Sequence, residues 1–166
     1  MEMCKNSLSS NLFDYLSDHV KEVKKEVNSL IKEYYSENTP ESLDIERFFK
    51  EYADTLISYL SIKRTTADGS MNCPFVIIRS IVEVQDMDDM GTYRFYIVPP
   101  YSTDSFTTAN NASCLSPLGR ALLLKSIDQQ VQVEIPSGTL RYCIKNITVP
   151  KQLISKYQNE PEPAIQ

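Results

Sequence analysis

The sequence predicts an α+β protein in which an N-terminal antiparallel coiled-coil hairpin precedes a small antiparallel β domain with one short helix. Three observations predict it. Two early stretches repeat apolar residues at alternating spacings of four and three. A polar run around Gly69 then ends that rhythm. Beyond it the chain turns to paired, β-branched and alternating runs separated by turn residues.

The first heptad seam reads Leu16, Val20, Val23, Val27, Leu30 and Tyr34, with Lys21, Glu22, Lys24, Lys25 and Glu26 keeping the other faces wet. His19 lies beside this seam and reads as a solvated helix residue. After a break at Ser36-Glu37-Asn38, Thr39 suits the cap of a second helix and Pro40 its first turn. The second seam is Ile45, Phe49, Tyr52, Leu56 and Tyr59. Two such helices joined by a short polar loop pack antiparallel. The hairpin is assigned to residues 1–65 and a linker to 66–73.

The domain assigned to 74–149 opens with a β-branched run from Phe75 to Val84. An acidic turn, Asp86 to Gly91, leads back into a strand from Tyr93 to Val98. Residues 99–112 read as a long polar loop, followed by a short helix from Pro117 to Lys125. Strands Val131–Ile135 and Leu140–Val149 close a second hairpin over Ser137-Gly138. Residues 150–166, with Pro161 and Pro163, read as a flexible tail.

Composition narrows the function classes. With 166 residues, 42% of them hydrophobic, the chain has enough apolar material for one or two small cores. Its formal net charge of -5 opposes duplex binding in its own right, because phosphate neutralisation needs Lys and Arg in excess. Cys4, Cys73, Cys114 and Cys143 form no C-x-x-C pair, and His19 is the one histidine, so no zinc site is expected. Reduced thiols, the lack of an apolar leader and the lack of a bilayer-length run make the expected location cytoplasmic, with no membrane partner. No histidine lies near a candidate nucleophile, and the four glycines form no phosphate loop. Asp86, Asp88 and Asp89 lack the ligand spacing of a calcium loop.

The segment Ser116 to Ile147, SPLGRALLLKSIDQQVQVEIPSGTLRYCIKNI, carries a resemblance. It resembles the C-terminal domain of the GreA/GreB family of bacterial transcript cleavage factors. That pattern runs S-P-apolar-A-R-(A/G)-L-apolar-G-K, then a strand, T-P-G-G and a closing strand. The matching residues are Ser116, Pro117, Arg120, Leu122, Lys125, Pro136 and Gly138. The likeness covers about residues 75 to 147, and the hairpin ahead of it matches in architecture. It implies an FKBP-like C-terminal fold and RNA polymerase as partner. RNA and DNA would be met only through the polymerase complex, by a monomer.

In that family the globular domain docks at the rim of the polymerase secondary channel and the coiled coil reaches inward. Carboxylates at its tip help hold a second Mg²⁺ for hydrolysis of backtracked RNA, so no cofactor is bound stably by the factor itself. The family tip reads G-D-L-x-E-N-A-E-Y. Here Glu37 and Asn38 match its Glu-Asn pair, while Tyr34 stands where the Asp would fall. The resemblance thus implies Glu37, Glu41 and Asp44 as tip carboxylates, with Glu46 as a further substitute. Ser116, Pro117 and Arg120 are implied as polymerase-binding residues. Each also has a plainer reading: acids favour the first turns of any helix, and Ser-Pro is an ordinary helix start. The rival functions are a non-cleaving channel regulator, an FKBP-like interaction or isomerase module, and a dimerising coiled-coil adaptor.

Overall fold

The computed structural model describes residues 8–35, 38–62, 65–66, 73–100 and 109–154. They fall into two compact units, one of the described residues up to 66 together with Ile154, the other of those from 73 to 153.

In the first unit, α1 (Ser10–Tyr34) and α2 (Pro40–Ile62) bury their apolar stripes on each other. Ser9 caps α1 by accepting a hydrogen bond from the Leu12 amide at 3.1 Å, so the helix begins six residues ahead of the heptad seam. Its 25 residues span about 37 Å at ~1.5 Å per residue. Leu16, Val20, Val23, Val27 and Leu30 are buried against Ile45, Phe49, Tyr52 and Leu56, as both seams require. The seam ends before Tyr34, which is 52% exposed. Two short strands, β1 (Leu8–Ser9) and β2 (Thr65–Thr66), pair in parallel, so the boundary expected between hairpin and linker falls inside a strand.

His19 departs from its expected place on the wet face. It is 3% exposed, its Nε2 lies 2.7 Å from the Tyr52 hydroxyl, and its ring stacks on Tyr15 at 5.8 Å between centroids. The heptad rhythm marks only the narrow seam, whereas a hairpin buries a wider stripe. A polar ring within that stripe is tolerated because it has a partner.

The second unit is a five-stranded sheet in the order β5-β4-β3-β7-β6, formed by β3 (Ile81–Asp86), β4 (Thr92–Val98), β5 (Asn110–Ser113), β6 (Gln130–Ile135) and β7 (Gly138–Thr148). All pairings are antiparallel except β4 with β5, which is parallel. The expected polar loop over 99–112 therefore ends in an edge strand, while 101–108 lie outside the described residues. A bulge interrupts the β3–β7 register between Glu83 and Val84. Helix α3 (Pro117–Leu122) packs on β6 and β5 and stops short of the expected Lys125. A last turn, α4 (Lys151–Ile154), starts within the expected tail.

The run from Phe75 is not a strand until Ile81. Ile77 and Ile78 are buried at 0% and 1% exposure in a turn closed by Ser80, whose amide and hydroxyl both donate to the Ile77 carbonyl. Arg79 sits at φ 73°, which breaks the extended path, and its amide donates to the Ile97 carbonyl. Apolar residues at this position mean burial rather than strand pairing. At the β6–β7 turn, Gly138 adopts φ 142°, a region open to glycine.

Removing the Tyr52 hydroxyl leaves a buried imidazole nitrogen without this partner. Tyr52→Phe is expected to cost about 1–3 kcal/mol, read as a lower urea midpoint. The double variant His19→Leu/Tyr52→Phe is expected to lose less than the sum of the two single changes.

Candidate functional site

Two places carry the candidate residues, one in each unit. At the hairpin end, Asn38 takes φ 61° and Thr39 starts α2. The Ser42 amide donates to Thr39 Oγ1 at 3.2 Å and the Thr39 amide donates to Ser42 Oγ at 3.1 Å, a reciprocal cap with serine in the usual glutamate place. Ser42 is fully buried, and Pro40 fills the first turn. This cap fixes where the acids of the first two turns stand.

Glu41, Asp44 and Glu46 are all exposed, as dipole-favoured acids at a helix start are expected to be. Asp44 Oδ1 lies 3.9 Å from Arg47 Nη1 one turn on, a solvent-exposed ion pair. Glu46 turns toward the partner helix, where it borders a depression of about 250 Å³ with Asn28, Ile31, Lys32 and Asn38. Glu41 and Asp44, three apart, are thus the acids nearest the helix start that stand clear of this depression. Glu37 lies outside the described residues. Among the described residues no three His, Cys, Asp or Glu side chains gather as a metal cluster. The described residues of the hairpin end therefore do not enclose an ion themselves.

The second place is the corner between β5 and α3. Ser116 caps α3 by accepting from the Gly119 amide at 3.0 Å, while its own hydroxyl donates to the Ser113 carbonyl at 2.7 Å. The Ser116 amide donates to the same carbonyl at 3.0 Å. Serine is needed here as both donor and acceptor, which explains Ser-Pro as structure before any contact with a partner. Pro117 and Arg120 remain exposed, and Arg120 Nε donates to the Leu115 carbonyl at 3.3 Å. That bond holds the guanidinium at the corner. The helix crosses β5 so closely that a Cβ on Gly119 would lie 1.9 Å from the Ser113 carbonyl oxygen.

Cys73, Cys114 and Cys143 are buried thiols outside any disulfide. Burial pushes the Cys73 thiol up to about 12, so it is a neutral thiol at physiological pH. Two backbone features left no sequence signal. Leu124 stands at φ 68° where the Gly-Lys pair of the resemblance has glycine, and its amide donates to the Val76 carbonyl at 2.7 Å. In the same run Gly119 occupies the alanine place, so the glycine serves the helix–strand crossing and the bulky residue takes the left-handed turn.

Gly119→Ala is expected to destabilise the protein by about 2–3 kcal/mol, because the obstructing atoms are backbone and the helix must shift as a body. Thermal unfolding followed by circular dichroism checks it.

Residues 71–149 match the family described as transcription elongation factor, GreA/GreB, C-term. A transcription elongation factor GreA of Novosphingobium aromaticivorans is 29% identical over 103 residues, which cover 62% of this chain and 61% of that protein. The corresponding factor of Chloroherpeton thalassium is 26% identical over 156 residues, 87% of this chain and 98% of the relative. A solved structure, the prokaryotic transcription elongation factor GreA/GreB from Nitrosomonas europaea, is 20% identical with a TM-score of 0.44, covering 87% of this chain and 98% of that one. The Ser116 corner and both flanking hairpins lie inside the matched segment, so residues 71–149 form a C-terminal domain of the GreA/GreB transcription elongation factor type.

Proposed function

We propose that this elongation factor binds RNA polymerase through its C-terminal unit, with Pro117 and Arg120 as the contact residues that Ser116 holds in place. The observation that carries this reading is the corner itself. A half-buried cap and a glycine crossing fix an exposed proline and a tethered guanidinium on one short helix, within the segment that matches the family. Preorganised side chains lose little freedom on binding, which favours affinity. From that anchor the helical hairpin enters the secondary channel.

Once there, Glu37, Glu41 and Asp44 offer carboxylate oxygens to a divalent ion held by the polymerase. Such an ion activates water and stabilises the leaving oxygen when backtracked RNA is hydrolysed. The chain itself contributes position and negative charge. Asp44 must release Arg47 to do so, a small cost for an exposed pair.

A second reading, a channel regulator without cleavage, is favoured by one observation. Tyr34 stands, half-exposed, at the place of the family's tip Asp, which leaves Glu37 without that paired acid.

The test uses purified polymerase and backtracked elongation complexes with Mg²⁺. The wild-type chain is expected to bind and to shorten the RNA. Glu37→Ala/Glu41→Ala/Asp44→Ala is expected to cut cleavage by roughly tenfold or more with binding unchanged. Pro117→Ala/Arg120→Ala is expected to weaken binding. Binding without cleavage by the wild-type chain establishes the second reading, and no binding refutes both.

A further inference from the structure

At the far end of the sheet from Ser116 the β3–β4 turn presents a surface that the proposed anchor does not use. Strand β4 runs from Thr92 at this turn to Val98, which pairs with Ser113 beside the Ser116 corner. Its seven residues place the two features roughly 20 Å apart at ~3.4 Å per residue.

Seven large apolar residues are exposed among the described ones, and three of them belong to this turn: Met87 at 36%, Met90 at 58% and Tyr93 at 38%. The Tyr93 ring approaches Tyr142 at 6.3 Å and Phe95 approaches Tyr142 at 5.9 Å, so Tyr93 belongs to an aromatic cluster on the adjoining strands. Methionine and tyrosine crowded on one turn are the side chains enriched at protein interfaces.

Asp86, Asp88 and Asp89 share the turn with them, and Arg141, 3.8 Å from Asp88, is the one cation whose ion pair reaches the turn among the described residues. The surface is rigid as well as acidic. Asp86 Oδ1 accepts from the Asp88 amide at 2.7 Å, and Asp89 accepts from the Gly91 amide at 2.7 Å and the Tyr93 hydroxyl at 3.1 Å. Phosphates of a nucleic acid are repelled by such a turn. Charge complementarity and the apolar centre select a protein surface that carries Lys or Arg around an apolar patch.

We infer that the Met87–Tyr93 turn is a second docking surface, taking a basic, apolar-centred protein surface on RNA polymerase distinct from the one met by Pro117 and Arg120. This rests on the polymerase-binding reading above. A factor held at both ends of one sheet is fixed in orientation, whereas a single corner leaves it free to pivot.

The experiment measures affinity of the full chain for purified core RNA polymerase at two salt concentrations. Met87→Ser/Met90→Gly is the principal variant, since glycine at position 90 also relieves a φ of 64° and favours the fold. Its binding is expected to fall about tenfold with a melting temperature that does not fall. Asp88→Asn is expected to weaken binding at low salt and much less at high salt. Wild-type affinity in both variants overturns this inference and leaves the polymerase-binding reading standing. Failure of the wild-type chain to bind overturns both.

Discussion

Strand β3 is hydrogen-bonded on both sides, to β4 and to β7, and the C-terminal unit takes its arrangement from that double pairing. Val82 and Val84 are fully buried on it, so a one-residue slip would move both to the opposite face. The register places the acidic turn at one end of the β3–β4 pair. At the other end Ile97 exchanges hydrogen bonds with Arg79 and Ser80, and β4 passes to β5 and the Ser116 corner. Two surfaces of different chemistry are thus held apart by one strand length.

The two units answer different physical needs. The hairpin needs length and stiffness, which two apolar stripes provide with little side-chain variety. His19 and Tyr52 are the exception, a polar pair shut into the interface. Burying them yields less than burying leucines would, but an unmatched polar group is costly in any shifted register, so the pair favours a single one. The C-terminal unit needs fixed surface features. It obtains them from backbone crossings and caps, where a single glycine or serine leaves no alternative conformation.

The likeness to elongation factors rests on the C-terminal match, and the hairpin end lies outside it. There the cap by Thr39 and Ser42 determines which acids stand free. Asp44 shares its charge with Arg47, and Glu46 turns into the depression beside Lys32. Among the described residues these carboxylates gather no metal cluster of their own.

Sequence by itself determined the elements whose physics is local. Heptad spacing determined both helices and their mutual burial, Thr39-Pro40 and Ser116-Pro117 marked helix starts, and Pro136-Ser137-Gly138 marked a turn. Each depends on periodicity or on a side chain bonding its own neighbourhood. Tertiary structure decided what depends on residues distant in the chain. Only packing shows that His19 is buried, since its partner Tyr52 lies on the other helix. Only the sheet shows that Asn110–Ser113 is a strand, because it borrows its ladder from β4. The Phe75 to Ser80 run has strand composition yet is a buried turn, since burial and extension draw on the same residues. The separation of the acidic turn from the Ser116 corner follows from strand order, which no local pattern encodes.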